Sequence, residues 1–247
     1  MEIITSAKNQ YAKLAKSLAE KKFRRETGLF FVEGKNLLKD LPESVEIEFI
    51  LSTAEREDEA KALSNAHAGA KILFATESII ASVADTMTPY GIIAVCKIPT
   101  SEFKMPLGNA ILLDGVADPG NVGTIFRTAA ACDFKDVYLV DSADIYSPKV
   151  VRATLGGLFK VNAHEIDVET AKKLLSDCNS AVLDMGGDNI LKENIECPIL
   201  FVAGNEAHGV RDEFKRIAHK VYSLPMANGV ESLNVAVATS VAMYKTV

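Results

Sequence analysis

Three polar segments in the second half of the chain contain the residue types that hold ligands. They cover residues 118–131, 204–209 and 224–238. The first contains Arg127, which can hold a phosphate or a hydroxyl beside one. The second places Glu206 in a loop with a glycine at each end. Each segment alone is weak evidence, but three polar loops in one half of a chain predict a binding site.

The helix predicted after the first turn positions its arginine. Asn121 or Thr124 is expected to cap this helix, with Arg127 on its first turns. From this segment alone, Arg127 has two interpretations: it is either a ligand-binding group or a structural arginine in a salt bridge. In the third segment, Ser232 is the expected N-cap of the last helix, and Asn234 is a polar residue at its apolar start. A buried asparagine needs hydrogen-bond partners, supplied by the fold or by a ligand.

The elements that must position these segments alternate between strand and helix. Apolar strands at 110–114, 199–203 and 221–224 each lead into one of the three segments. Helices are predicted at 122–132, 149–158, 172–178 and 232–247, and further strands at 137–140 and 180–183. This order predicts a mostly parallel sheet covered on both faces, in which ligands bind at the carboxyl ends of the strands.

The first half predicts a smaller α/β domain. Helices are expected at 7–25, after Gly34 and at 55–66, and strands at 29–33, 47–52, 71–75 and 91–97. Residues 98–109 contain two prolines and a glycine and are expected to form a linker. The predicted domains are therefore 1–98 and 106–247.

Several function classes lack their sequence signatures. GxGxxG, GxxxxGK[ST], HExxH and GxSxG are absent, which argues against dinucleotide, P-loop, zincin and nucleophile-elbow chemistry. The four histidines are scattered and the four cysteines form no metal-ligand spacing, so no metal is expected. Without a signal-peptide pattern or a long apolar run, a cytoplasmic protein is expected.

Charge is unevenly distributed along the chain. The net charge is −6, but residues 1–39 contain nine Lys/Arg and four acidic residues, so that segment is +5 and the rest is −11. A basic segment on an acidic body can contact phosphates locally. An ordinary solvated helix face explains the charge equally well.

The second half resembles the SpoU (TrmH-type) branch of the SPOUT RNA methyltransferases. The similarity lies in NVGTIFRTAAA (121–131), VVRATLGGLF (150–159), AGNEAHGV (203–210) and LPMANGVESLNVAVA (224–238). Residues 6–38 also resemble the substrate-binding domain that precedes many members. The sequence departs from the family at Ala207, where glycine is common, and in the run after Arg152.

The resemblance implies an α/β chain with a small ribosomal-protein-like RNA-binding domain and a SPOUT domain with a deep trefoil knot. It implies S-adenosylmethionine as cofactor, structured RNA as partner, and a homodimer through the knotted domain. The residues it implies for catalysis are Arg127, Glu206, Ser232 and Asn234. Those for the cofactor are Gly204, Asn205, Gly209, Leu224, Met226, Ser232, Leu233 and Ala236. Those for RNA are Asn121, Arg152, Lys13, Lys21, Arg24 and Arg25.

The expected reaction is methylation of a ribose 2′-hydroxyl in ribosomal RNA. The motifs around Arg127 and Asn234 favour ribose over a base. The alternatives are a SPOUT enzyme acting on tRNA ribose or on an RNA base, and a catalytically silent RNA-binding assembly factor. A small-molecule nucleotide enzyme would need the phosphate loop that the sequence lacks.

Overall fold

The computed structural model describes residues 2–84, 86–100 and 103–247. The chain divides into two compact units, Met1–Thr100 with Asp144–Gly156, and Ser101–Ala143 with Gly157–Val247. The domain bounds predicted from the sequence stay a prediction. Residues 101 and 102 of the predicted linker lie outside the described residues.

Both units are built from alternating strands and helices. The strands are β1 (Ile3–Ile4), β2 (Leu29–Glu33), β3 (Ile47–Ser52), β4 (Ile72–Ala75), β5 (Ile92–Lys97), β6 (Ala110–Asp114), β7 (Asp136–Val140), β8 (Asn162–Glu165), β9 (Ser180–Asn189), β10 (Leu200–Gly204) and β11 (Lys220–Ser223). The helices are α1 (Gln10–Ser17), α2 (Lys21–Thr27), α3 (Lys35–Lys39), α4 (Glu57–Ala66), α5 (Glu77–Val83), α6 (Pro119–Ala131), α7 (Pro148–Ala153), α8 (Val168–Asp177), α9 (Asp212–Ile217) and α10 (Val235–Tyr244). Short 3₁₀ turns cover Ala54–Arg56 and Gly157–Lys160.

The first unit contains a five-stranded mixed sheet in the order β1-β4-β3-β5-β2. Strand β5 is antiparallel to both β2 and β3, whereas β4 is parallel to β1 and β3. All five residues of β2 are buried, and apolar side chains such as Phe31, Phe49 and Ile93 form a core with α1 and α5. The unit is thus an α/β domain of the predicted kind.

The predicted helix at 7–25 is wrong as a single element. Helix α1 ends at Ser17, with the buried Leu18 as its C-cap, and α2 ends at Thr27, with Gly28 at φ +67° as its C-cap. The carbonyl of Leu18 accepts a hydrogen bond from the Arg24 guanidinium at 2.6 Å. Because that carbonyl has this side-chain partner, the chain can turn there without leaving a buried acceptor unpaired.

The second unit contains the predicted parallel sheet, with six strands in the order β11-β9-β10-β6-β7-β8. Every pairing in it is parallel. Gly204 at the end of β10 lies opposite Asp114 at the end of β6. The first two polar segments therefore leave the sheet side by side at its carboxyl edge, as the sequence predicted.

Other elements differ from the predictions in their extent. The helix predicted at 149–158 ends at Ala153, because Leu155 and Gly156 adopt φ of +46° and +88°. Strand β9 continues to Asn189 through its pairing with β11, and β8 and α9 were not predicted. In the described part of the chain, no helix is long and apolar enough to cross a membrane. The trefoil knot stays a prediction.

Candidate functional site

A cavity of about 560 Å³ opens in the second unit, beside the loops that follow β10 and β11. Residues 203–209 and 231–235 line it without a break. Predicted site residues in the lining are Gly204, Asn205, Glu206, Gly209, Leu224, Met226, Ser232, Leu233 and Asn234. The second and third polar segments therefore meet at one cavity, whose volume is that of a small-molecule site.

Three predicted residues of this unit lie outside the lining. Ala236 is buried in α10, where its N–H donates to Asn234 Oδ1 at 2.9 Å. Asn121 and Arg127 lie on α6 and do not contribute to the lining. The Ala236 side chain therefore does not line the cavity, unlike the other predicted cofactor residues.

The loop after β10 is shaped by Gly204 and Asn205. The Asn205 side chain donates to Gly115 O at 2.7 Å and accepts from the N–H groups of Ala207 and His208. A Cβ on Gly204 would lie 2.2 Å from atoms of Gly209 and Val210. The absence of a side chain at Gly204 therefore makes room for the loop's own backbone.

Glu206 turns back from this loop toward the start of α6. Its carboxylate accepts hydrogen bonds from the N–H groups of Ala117 and Asp118 at 3.3 and 3.2 Å, and from Asn121 Nδ2 at 2.8 Å. Burial alone would raise the pKa of Glu206, but these hydrogen bonds outweigh it and the pKa is lowered. Glu206 is therefore ionised at neutral pH. It accepts hydrogen bonds, but its lowered pKa makes it a weak base.

The Asn121 amide continues this chain of hydrogen bonds to α10. Its Oδ1 accepts from Asn234 Nδ2 at 2.8 Å, and Asn234 Oδ1 accepts from the N–H groups of Ala236 and Val237. Asn234 is therefore the N-cap of α10, and the prediction of Ser232 for this role is wrong. Ser232 lies earlier in the loop, exposed along the cavity.

Helix α6 starts earlier than predicted, with Asp118 as its N-cap. The Asp118 carboxylate accepts from Asn121 N at 2.9 Å, so neither Asn121 nor Thr124 caps the helix. Arg127 is therefore in the third turn of α6 instead of its first turns. Because Asp118 and not Asn121 caps the helix, the Asn121 side chain can form hydrogen bonds with Glu206 and Asn234.

The Arg127 side chain is exposed. Among the residues that the structure describes, Arg127 has no hydrogen bond or ion pair, so the salt-bridged structural interpretation finds no support. Its backbone, in contrast, is tightly packed: a Cβ on Gly157 would lie 2.9 Å from Arg127 Cα. A fixed backbone with an unengaged guanidinium suits a residue that meets an anion from outside the chain.

The predicted RNA-binding residues of the first unit divide into two groups. Lys13, Lys21 and Arg25 are exposed. Arg24 is buried, and its guanidinium donates to Asp144 Oδ2 at 2.7 and 3.1 Å. Arg152 is half-buried on α7 in the same unit. Because the Arg24 guanidinium is buried and hydrogen-bonded within the chain, it is not available to bind RNA phosphates.

Sequence analysis missed the part of the lining that β9 and α9 supply. Leu183, Asp184, Met185 and Ile190 come from the long strand β9 and the residue after it, and Lys215 of α9 lies 2.5 Å from Asp184. Gly186 and Gly187 in β9 suggest a turn in the sequence. Only the close approach of Gly187 to Val221, where a Cβ would lie 2.4 Å from backbone atoms, shows that this stretch pairs with β11.

Thr239 of α10 also lines the cavity and was missed. It is fully buried, and its hydroxyl has no hydrogen-bond partner in the described part of the chain. In the sequence it is one small residue in an apolar helix, so no signal singles it out. Within the described residues, no group of three or more His, Cys, Asp or Glu side chains could hold a metal ion.

Two family models match the chain. Residues 108–244 match the SpoU rRNA Methylase family, and residues 9–94 match the MRM3-like substrate binding domain. The first match covers every residue of the cavity and of the Glu206–Asn121–Asn234 chain. The second covers the basic helices α1 and α2.

Characterised relatives show the same similarity. The chain is 32% identical over 250 residues to the 23S rRNA (guanosine(2553)-2'-O)-methyltransferase RlmP of Bacillus subtilis (strain 168), covering 99% of this chain and 98% of that protein. It is 30% identical over 142 residues to the 23S rRNA (guanosine-2'-O-)-methyltransferase RlmB of Pseudomonas putida, covering 56% and 57% of the two chains.

Solved structures share the whole architecture. An AdoMet-bound rRNA methyltransferase from Sinorhizobium meliloti superposes with a TM-score of 0.88 at 26% identity, covering 99% of this chain and 96% of that one. A putative RNA methyltransferase of the TrmH family from Porphyromonas gingivalis has a TM-score of 0.82 at 30% identity, covering 95% of both chains.

Proposed function

Because the chain belongs to the SpoU rRNA methylase family, we propose that it transfers the methyl group of S-adenosylmethionine to a ribose 2′-hydroxyl of ribosomal RNA. The relatives named above as 23S rRNA 2'-O-methyltransferases support this reaction and this substrate class. The one structural observation that carries the proposal is the link between the cavity and α6. Glu206 and Asn234 both line the cavity and both bond Asn121, two turns before Arg127.

The cavity fits S-adenosylmethionine in size and in chemistry. Its volume of about 560 Å³ lies within the range of roughly 300–1,000 Å³ found for small-molecule sites. Buried apolar side chains, Ile190 and Ala203 among them, suit the purine ring, and exposed polar loops suit the ribose and amino-acid portions. When bound, the cofactor supplies a methyl group on a positively charged sulfur, which is already activated for transfer.

The chain's own task is then to position the acceptor hydroxyl and to stabilise the charge that develops on its oxygen while the hydroxyl proton is lost to water. The products are the 2′-O-methylated ribose, S-adenosylhomocysteine and the released proton. We assign this stabilisation to Arg127, which also holds the neighbouring phosphate. A guanidinium stays protonated in proteins, so charge stabilisation suits Arg127 better than removal of the hydroxyl proton. Its exposure and its lack of a partner among the described residues leave the guanidinium available for both contacts.

Two further roles are assigned among the predicted residues of the second unit. Glu206, Asn121 and Asn234 are positioning residues, since their polar atoms bond one another and the backbone. Asn121 therefore leaves the predicted RNA-binding set. Ser232 and the backbone near Leu224, Met226 and Leu233 are proposed to contact the cofactor, because they line the cavity.

RNA binding is proposed for the exposed basic residues of the first unit, namely Lys13, Lys21 and Arg25, together with Arg152. Lysines on exposed helix faces bind phosphates without reading sequence. The buried Arg24 is left out. The ribose 2′-hydroxyl distinguishes RNA from DNA as the acceptor.

We also propose that the protein is a homodimer and acts in the cytoplasm. Large apolar side chains are exposed on and after α10, where Val237, Tyr244 and Val247 are 47%, 58% and 80% exposed. Such a surface suits a second copy of the chain. Light scattering on the purified protein would show twice the monomer mass of 26.6 kDa; a monomer would contradict the dimer.

The reaction is tested by incubating the purified protein with tritium-labelled S-adenosylmethionine and an RNA. The RNAs are protein-free ribosomal RNA, ribosomal subunits and tRNA, all made without modification. Digestion to nucleosides then locates the label. Label in a 2′-O-methylnucleoside of ribosomal RNA supports the proposal. Label in a base would indicate a base methyltransferase, and label in tRNA would indicate tRNA as the substrate. Cofactor binding without transfer to any RNA would favour the catalytically silent assembly factor.

A further inference from the structure

We propose that the Thr239 hydroxyl forms a hydrogen bond with the adenine ring of the bound cofactor. This inference rests on the proposed function, since it assumes that the cavity holds S-adenosylmethionine. Thr239 lines the cavity from α10 and is fully buried. Within the described residues, its Oγ1 has no partner.

The unpartnered hydroxyl stands out against the two threonines of the neighbouring helix α6. A threonine inside a helix commonly bonds the carbonyl four residues earlier. Thr124 and Thr128 of α6 do so, at 2.8 Å to Gly120 O and 3.0 Å to Thr124 O. Thr239 does not, although Val235 of the same helix is four residues earlier. Because buried hydroxyls are nearly always hydrogen-bonded, a partner from outside the chain is expected.

The surroundings of Thr239 identify the part of the ligand that it meets. The other buried residues of the lining are Ile190, Ala203, Gly204 and Tyr222. In contrast, the charged lining residues Asp184, Glu206, Lys215 and Glu231 are half-buried or exposed. A charged amino-acid group would lose its hydration among the buried residues, whereas a flat purine would not. The geometry therefore assigns the buried hydroxyl to the adenine ring, whose nitrogens can donate or accept one hydrogen bond.

The test compares Thr239→Val, Thr239→Ser and Ser240→Ala by calorimetric binding of S-adenosylhomocysteine and of 5′-methylthioadenosine, which lacks the amino-acid portion. Valine keeps the shape of threonine and removes only the hydroxyl. Ser240 is a matched control, because its hydroxyl lies 2.9 Å from that of Thr128 and does not line the cavity. Thr239→Val is expected to bind both ligands about 3- to 10-fold more weakly. Thr239→Ser and Ser240→Ala are expected to bind them as the wild type does.

The thermal unfolding of the ligand-free proteins distinguishes a ligand contact from a structural one. Since the hydroxyl has no partner among the described residues, ligand-free Thr239→Val is expected to be as stable as the wild type or more stable. A lower unfolding temperature, or failure to fold, would overturn the proposal. Unchanged affinity would also overturn it, as would weaker binding of S-adenosylhomocysteine alone. If the wild type bound neither ligand, the assignment of the cofactor would fail instead.

Discussion

Asn234 Nδ2 donates a hydrogen bond to Asn121 Oδ1 at 2.8 Å, and this contact ties the start of α10 to the start of α6. The direction of the bond is set at both ends. Asn234 Oδ1 is occupied by the N–H groups that it caps, and Asn121 Nδ2 is occupied by the Glu206 carboxylate. Each amide therefore has only one orientation in which every bond is made. The chain of contacts holds the cavity loops against the helix that carries Arg127.

Replacing Asn121 by Asp tests this arrangement. The variant places a carboxylate beside Glu206 and removes the donor, so methyl transfer at pH 8 is expected to fall about 10-fold or more. Like charges raise a carboxyl pKa, and the introduced carboxyl, once protonated, would again be a donor. The variant's rate relative to wild type should therefore rise as the pH is lowered from about 8 to about 6.

Asn179→Asp is the control, because it makes the same exchange at an amide that, within the described residues, bonds only the backbone carbonyls of Glu196 and Pro198 and does not line the cavity. It should show no recovery at low pH. Equal pH profiles for Asn121→Asp and wild type would contradict the Glu206–Asn121 contact.

Glu206 is expected to make stability depend on pH. Its folded-state pKa is lowered, since the hydrogen bonds from Asn121 and the backbone outweigh the opposing effect of burial. A lowered pKa stabilises the fold above the unfolded pKa, about 4.3 for Glu. This stabilisation is lost as the pH falls through the folded value. Unfolding temperatures of wild type and Glu206→Gln should therefore differ near neutral pH and converge as the pH falls from the unfolded pKa through the lower folded pKa.

Glu231→Gln serves as the comparison in the same cavity lining, since Glu231 has no hydrogen bond among the described residues. Its unfolding temperature should follow the wild type at every pH. A constant offset between Glu206→Gln and wild type down to about pH 3 would mean that the carboxylate contributes nothing through its charge.

Gly204→Ala should disrupt the cavity. A Cβ there would lie 2.2 Å from the backbone of Gly209 and Val210, so the loop must move. The expected result is a loss of about 1–3 kcal/mol in unfolding free energy and weaker binding of S-adenosylhomocysteine. Gly186→Ala in β9 is the matched control, because nothing lies within 4 Å of its added Cβ. If both variants bound the ligand equally well, the loop would not depend on Gly204.

Arg24 is expected to matter for stability, because it is buried and ion-paired with Asp144. Arg24→Ala leaves the partly buried Asp144 without its partner and should cost about 3–5 kcal/mol in urea unfolding. Lys13→Ala should leave stability within about 0.5 kcal/mol. It should instead weaken RNA binding and reduce the salt dependence of binding by about one ion. An Arg24→Ala protein as stable as wild type would contradict the structural role.

Sequence patterns located the strands and loops of the site well. Strands 29–33, 47–52 and 110–114 were predicted at their observed bounds, because short apolar runs between turn residues leave few alternatives. The three polar segments were also found, since each follows a buried strand. Segments 204–209 and 224–238 meet at the cavity, and segment 118–131 is hydrogen-bonded to both of them.

What the sequence could not give was the partner of each polar side chain. Arg24 was predicted to bind RNA, because its acidic partner Asp144 is 120 positions away and could not be recognised from the sequence. Ser232 and Asn234 are both good caps, and only the position of Asn121 decides between them. Thr239 and the end of β9 enter the site through packing and strand pairing, which leave no local pattern.

The most direct test of the central claim is the single-turnover rate of methyl transfer by Arg127→Ala at saturating cofactor and ribosomal RNA. Arg127 lies outside the cavity lining, so binding of S-adenosylhomocysteine should be unchanged, while the transfer rate falls by about 100-fold or more. Lys160→Ala, which removes a charge from the exposed end of the turn that packs on α6, should keep the rate. A wild-type rate in Arg127→Ala would contradict the assignment of Arg127 to the reaction.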